Sequence, residues 1–527
     1  MKKGFKKILS VFLCVIMLFS LSAAAFAADD VTPVIVVSGM GAFPLVDENG
    51  ESVWPVSSDK MIKNISQMIL PTIGSALLND WTIFNSFAMS PLYDIFEPIS
   101  CDENGDSVHA VTAQIFPGSA ASYKEEFEQR ESSEIAVVRG VADEIGWDNT
   151  YYFYYDWRKN PLDIADELNE TVKQAMAECG SDKVSLFAMS FGGMVTSSYI
   201  YKYGTDNIKN IVYGSTAFEG VEMLGKLFSN QIDINISEAI VYLSSMVKEN
   251  AVAASVLGLS SDMFSKYGTS GEKAVDAYLA MVVSTISDPL YKEVFAQTFA
   301  HFKGMWCLMP GEYYESAKEY MSTTSTISES FFASTDEYFY NVQAKNEELI
   351  ENAQANGTNV YIIGAYGYAE IPVTKGEANQ TDMLIDTYLM TGGCTVAPYG
   401  KTLSDVTYEK GTTCTAHNHA STDGIVDAST AMLPEQTWVI KDMTHVEFNY
   451  AHESNDLAVW LVTSDERVNV YSNEKYPQFV QIDRETGKFV SLTEGVTLSS
   501  PSTKMVFSGI LDMIMALVKK ILSYVIK

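Results

Sequence analysis

The stretch Val184-Ser-Leu-Phe-Ala-Met-Ser190-Phe-Gly-Gly-Met194 restricts what this chain can fold into more than any other. Its first half is an apolar, β-rich run, and its second half opens a helical pattern, so one serine stands between a strand and a helix. The backbone must turn sharply through Ser190, which requires small residues at the neighbouring positions. Ala188 and Gly192 meet that requirement. Such a turn is a nucleophile elbow, and its strain lifts the serine hydroxyl clear of the sheet. The usual pattern has glycine on both sides; Ala188 is the mildest departure from it.

The chain opens with Lys2, Lys3, Lys6 and Lys7, continues with an apolar run from Ile8 to Leu21, and reaches Ala25-Phe-Ala27. This is the pattern of a secretory signal peptide cut after Ala27, so the protein is expected to be secreted or extracytoplasmic. A retained membrane anchor is the other reading of that run. The whole sequence carries a formal charge of −32, and loss of those four lysines makes the mature chain more acidic still. A field of that sign repels phosphate polymers, so nucleic acid is excluded as a partner. Beyond Cys14 the cysteines are Cys101, Cys179, Cys307, Cys394 and Cys414. They are too few and scattered for a disulfide scaffold, which a core of this size does not need. Cys394 and Cys414 are the pair most worth testing for a bridge.

Pro33-Val-Ile-Val-Val37 is a continuous apolar run suited to a strand buried on both faces, and it ends in Ser38-Gly-Met-Gly41. Residues 60–97 are apolar and interrupted by Pro71 and Pro91, as in a flap, and Ile95 to Phe116 reads as a hairpin turning at 102–106. Helical spacing over Ser133–Ile145 precedes the aromatic strand Tyr151–Tyr155. A second helix from Pro161 to Glu178 leads into the elbow strand, and a strand at Ile208–Tyr213 follows the elbow helix. This alternation predicts a parallel sheet with right-handed crossovers. From Gly220 to about Gln354 helical patterns dominate, with aromatics including Tyr313, Tyr314, Phe331, Phe332 and Tyr338 that either line a pocket or form plain core. Strands return at Asn359–Ile363 and Thr437–Ile440.

Asp423, in Thr422-Asp-Gly-Ile-Val426, and His445, in Met443-Thr-His-Val-Glu447, lie in loops after those returning strands. A serine hydroxyl needs an imidazole to take its proton and a carboxylate to hold the imidazole's tautomer. Ser190, Asp423 and His445 supply that set, with Asp427 and Asp442 as alternative acids and His419 and His452 as poorer alternative bases. His417 and His419 with Asp423 could instead bind a metal, but the serine mechanism requires no metal or organic cofactor.

Five segments in order, Pro33-Val-Ile-Val-Val-Ser-Gly39, Tyr155-Asp-Trp-Arg158, the Ser190 elbow, Thr422-Asp-Gly-Ile-Val426 and His445-Val-Glu447, resemble the lecithin:cholesterol acyltransferase family. That family includes lysosomal phospholipase A2-like enzymes and phospholipid:diacylglycerol acyltransferases. The resemblance spans roughly residues 31–465. It implies an α/β-hydrolase fold, Ser190 as nucleophile with Asp423 and His445, an oxyanion hole from the amides of Met40 and Phe191, and support of the substrate site by Gly39, Asp156, Trp157 and Arg158. The family's Gly-His before the serine is Ala188-Met189 here, its proline before Gly39 is Ser38, and its lid disulfide has no cysteines between Ser38 and Ile99 to form it.

The expected architecture is α/β: a signal peptide at 1–27, a hydrolase core at 28–219 and 355–465 with a mostly parallel central sheet, a helical cap at 220–354, and a C-terminal hairpin with an amphipathic helix at 466–527. Apolar residues at Ile510, Ile514, Leu517, Ile521 and Val525 opposite Lys519, Lys520 and Lys527 suit either peripheral contact with a membrane or docking on the chain's own core. The expected activity is that of a secreted serine lipid esterase, lipase- or phospholipase A-like, working through an acyl-serine. The alternatives are an O-acyltransferase passing the acyl group to an alcohol, a peptidase or small-ester esterase, and an inactive lipid- or surface-binding protein. The sequence assigns no oligomeric state.

Overall fold

The computed structural model describes residues 31–232, 281, 284–372, 374, 376–408 and 417–492. The run expected to be a signal peptide, Cys414 and the stretch expected to be amphipathic, 510–527, lie outside the described residues.

Eight strands build the central sheet: β1 Val34–Val37, β2 Thr150–Phe153, β3 Val184–Met189, β4 Ile208–Gly214, β5 Asn359–Tyr366, β6 Thr437–Lys441, β7 Phe479–Asp483 and β8 Lys488–Val490. Their order across the sheet is β8-β7-β6-β5-β4-β3-β1-β2. Every neighbouring pair is parallel except the β7–β8 hairpin. The apolar runs are continuous because helices cover both faces. Helix α1 (Ser133–Ile145) packs against α4 (Glu453–Thr463), and α2 (Pro161–Cys179) packs against α3 (Gly192–Tyr203). Val36, Leu186 and Ile211 are fully buried. Truncating Leu186 to alanine should cost about 2–5 kcal/mol.

Local sequence sets the helix ends. Asn160 accepts a hydrogen bond from the Leu162 amide, Pro161 opens α2, and Gly180 closes it with φ of 66°. A side chain at Gly140 of α1 would sit 2.5 Å from Asn455 Oδ1 and 2.8 Å from Val459 of α4, so glycine lets these two helices approach. This parallel sheet, flanked by helices and carrying a strained serine turn, is an α/β-hydrolase fold.

Three expectations need correction. The β7–β8 hairpin is an edge of the main sheet and not an appendage, because α4 is a crossover that returns the chain parallel to β6. Residues 58–96 form two helices, Ser58–Leu78 and Thr82–Phe96, each containing its proline. The Ile95–Phe116 hairpin reduces to one bridge, Cys101 with Ser107, while Thr112–Ala113 pairs with Leu45–Val46. Between β4 and β5 the described residues are helical, and the rings of Phe228, Phe331, Phe332 and Tyr314 surround Trp306. Phe331, Phe332, Tyr314 and Tyr338 are buried and belong to the hydrophobic core. Cys394 is a buried free thiol.

Candidate active site

The sheet order reverses at β1: the chain goes from β1 to β2 on one side, then crosses back to β3 on the other. At such a reversal, beyond the carboxyl ends of the flanking strands, here β1 and β3, open α/β sheets usually bind their ligands. Ser190 caps β3 there with φ of 52°, in the left-handed region that non-glycine residues seldom adopt. Only small neighbours permit this turn. A side chain at Gly192 would lie 2.5 Å from the Val37 carbonyl oxygen and 2.7 Å from that of Ser38, and one at Gly39 would lie 2.9 Å from Ser190 Cβ.

His445 lies in the loop after β6, and its Nε2 is 2.9 Å from Ser190 Oγ. Its Nδ1 is 2.7 Å from Oδ2 of Asp382, a residue the sequence reading did not weigh. Asp382 is fully buried, and its Oδ1 accepts the backbone N–H groups of Leu384 and Ile385 at 3.0 and 2.8 Å. Its carbonyl accepts the N–H of His445 at 2.8 Å, so backbone and side chain together fix the pair. A carboxylate can only accept from Nδ1, which therefore carries the proton and leaves Nε2 free to accept from the serine hydroxyl.

Asp423 does not reach His445. Its Oδ2 accepts from Lys441 Nζ and Tyr366 Oη, both at 2.9 Å, and its Oδ1 accepts from Ser421 Oγ at 2.7 Å. Lys441 is a β6 residue buried beside β5, and the charge it brings there needs a carboxylate. Asp427 caps the turn at Ser429, and Asp442 accepts from Gln481, so neither alternative acid replaces Asp382. His419 bonds Gln478, and His452 precedes α4.

Among the described residues the backbone N–H groups of Met40 and Phe191 donate no hydrogen bond within the chain. Phe191 opens α3, where amide N–H groups lack helical partners, and Met40 follows Gly39 in the loop beside the serine. Glu134, in the first turn of α1, is buried against that loop: a side chain at Gly39 would lie 3.3 Å from its Oε1. Ser133 ties the same turn to the carbonyl of Val446, next to the histidine. Burial pushes the Glu134 carboxyl above its ordinary value. At His445 burial favours the neutral ring, but the charge and hydrogen bond of Asp382 and the charge of Glu134 oppose it, and the net shift is upward.

Asp156, Trp157 and Arg158 form a buried strut. Arg158 grips both carboxylate oxygens of Asp156, Nε to Oδ1 at 2.9 Å and Nη2 to Oδ2 at 2.7 Å, and donates to the carbonyls of Ile99 and Val111. The Trp157 ring packs on Trp54 and Phe302. A side chain at Gly304, in the helix Lys303–Cys307 between β4 and β5, would lie 2.1 Å from the Trp157 carbonyl. The Asp-Trp-Arg element thus joins the core to the segments around it.

No family model and no curated protein matches the sequence. Solved structures that match include the Tle4–Tli4 complex, at 11% identity and a TM-score of 0.24 over 63% of this chain and 75% of that one. Carboxylesterases of the ammonia-oxidizing thaumarchaeon Nitrososphaera gargenis match at 12% identity and a TM-score of 0.19, over 44% of this chain and 68% of that one. The fold assignment rests on sheet order and elbow, not on these remote likenesses.

Proposed function

We propose that the protein is a secreted serine esterase of lipids, lipase- or phospholipase A-like, that works through an acyl-Ser190 intermediate. The observation that carries this reading is His445 bridging Ser190 Oγ and Asp382 within hydrogen-bond distance on both sides.

In the reaction, His445 Nε2 takes the Ser190 proton as Oγ attacks the ester carbonyl carbon. The carbonyl oxygen gains negative charge facing the amides of Met40 and Phe191, where preorganised donors lower the barrier. The imidazolium, stabilised by Asp382, returns its proton to the departing alcohol as the ester C–O bond breaks. Water then attacks the acyl-serine with His445 again as base, releasing the carboxylic acid and restoring the serine.

A lipid substrate is supported by the helical pair Ser58–Leu78 and Thr82–Phe96. Leu70, Leu77, Leu78 and Phe87 on it are exposed, more apolar surface than a water-facing hairpin needs. The end of this pair packs Phe96 on Trp54, and a side chain at Gly41 would lie 3.9 Å from Trp54 Nε1, so the apolar hairpin is anchored close to the loop that carries Met40. The motif resemblance to lecithin:cholesterol acyltransferases and their phospholipase relatives points the same way.

A chain-length series of esters, soluble and presented on phospholipid vesicles, tests the substrate class. The expected result is a rise in kcat/KM with chain length and a further rise on vesicles. Preference for short soluble esters without interfacial gain would contradict it, and transfer of the acyl group to an added long-chain alcohol in preference to water would redirect it to an acyltransferase.

A further inference from the structure

His417, His419 and Glu435 gather at the other end of β6 from His445. Their candidate ligand atoms all lie within 4.8 Å of one another, and His417 Nδ1 is 3.0 Å from Glu435 Oε1. Glu435 sits in the short turn Pro434–Gln436 that opens β6. The His419 backbone is tied to the same region, its carbonyl accepting the N–H of Ala428.

The state of His419 sets this cluster apart from a chance grouping of polar residues. Gln478 spends its amide N–H groups on the carbonyls of Pro434, at 2.7 Å, and Thr437, at 3.0 Å. That assignment turns Gln478 Oε1 toward His419 Nδ1, at 2.7 Å, so Nδ1 must be the protonated nitrogen. Nε2 is then a bare lone pair. It is buried on a residue 1% exposed, and it has no hydrogen-bond partner among the described residues. An unmet buried acceptor is costly, whereas a metal-binding histidine commonly donates its other ring N–H to a neighbouring acceptor that fixes its tautomer and direction. Gln478 performs that service here.

We infer that His417, His419 and Glu435 form a binding site for a divalent transition metal ion, with zinc the best match. Two imidazole nitrogens and one carboxylate oxygen suit zinc, and are a poor set for calcium or magnesium, which favour all-oxygen shells. His417 and Glu435 are partly exposed and give the ion a way in, while His419 supplies the buried anchor. The ion would join the loop at 417–419 to the start of β6 and so clip the connection between β5 and β6. It lies a strand's length from His445, so its role is structural and the ester chemistry does not pass through it.

The test strips the purified protein with a chelator, adds zinc, removes the excess by gel filtration, and measures metal content and thermal melting. The wild type should retain about one zinc ion per chain and melt at a higher temperature with it. His417→Ala, a change on the surface that spares the core, and Glu435→Gln should each retain no stoichiometric zinc and show no zinc-dependent shift in melting, with His419→Ala behaving alike if it folds. Cobalt substituted for zinc should give a tetrahedral absorption spectrum that His417→Ala abolishes. Hydrolysis of a soluble ester at low temperature should be the same for stripped and loaded protein, which separates this proposal from the Ser190 chemistry. A wild type that retains no zinc, or variants that bind it as the wild type does, would overturn the inference.

Discussion

Two of the buried aspartates in the connection between β5 and β6, Asp382 and Asp423, differ in what they face. Asp382 has one oxygen on backbone N–H groups and the other on His445, beside Ser190. Asp423 has its oxygens on Lys441, Tyr366 and Ser421, inside the sheet. In the proposed mechanism the first stabilises a charge that forms only when the histidine takes a proton; the second neutralises a permanent one. Burial and residue type are the same in both, so the partner alone distinguishes an acid that assists chemistry from one that maintains the fold.

The largest effect that would sharpen this contrast is at the serine both assignments share: Ser190→Ala should lower kcat by about 10⁶-fold with little change in the melting temperature. Asp382→Asn should lower kcat by about 10⁴-fold, because the amide can donate to Nδ1 and favour the wrong tautomer. Asp423→Asn should instead leave the kcat of folded protein within a few-fold of wild type but cost about 3–5 kcal/mol in urea unfolding, since it strands the Lys441 charge. Replacing both members, Asp423→Asn with Lys441→Met, should recover part of that loss. If Asp423→Asn abolished turnover in a normally folded protein while Asp382→Asn did not, the contrast would be reversed.

The pH profile offers a finer probe. A general base must be neutral, and the upward shift at His445 places the acid limb of kcat/KM above about pH 6.5, the ordinary histidine value. Glu134→Gln removes negative charge that favours the imidazolium, so its limb should move toward lower pH. The same upward shift stabilises the folded state fully below the ordinary histidine value, and this contribution disappears as pH rises through the folded one. A limb unmoved in Glu134→Gln would mean that the glutamate only packs against the Gly39 loop.

Strands and elbow could be read from the sequence because they obey local rules: both-face burial demands unbroken apolar runs, as in Val34–Val37, and the turn at Ser190 demands small neighbours. His445 was readable because it follows β6 after a short loop. Asp382 was not, since it follows a two-residue strand, Gln380–Thr381, in a connection without hydrophobic period, and its role depends on a backbone bond to a residue distant in sequence. The only local trace is an Asx-type turn, with the Asp382 side chain accepting from Leu384 and Ile385, a pattern that aspartates in many loops share. Asp423 stood in a motif that a family resemblance favoured, and sequence could not show that Lys441 held it. The pairing of β7 with β6 was hidden for a similar reason, because a parallel partner is set by the crossover helix and not by the strand's own residues.

The most direct test of the central claim is intact-protein mass spectrometry of the purified protein after exposure to a fluorophosphonate lipid analogue, with phospholipid vesicles present. The structure predicts one covalent adduct on the wild type, none on Ser190→Ala, strongly slowed labelling of Asp382→Asn, and near-normal labelling of folded Asp423→Asn. A folded wild type that takes no adduct, or an adduct that persists in Ser190→Ala, would contradict an activated serine at this site.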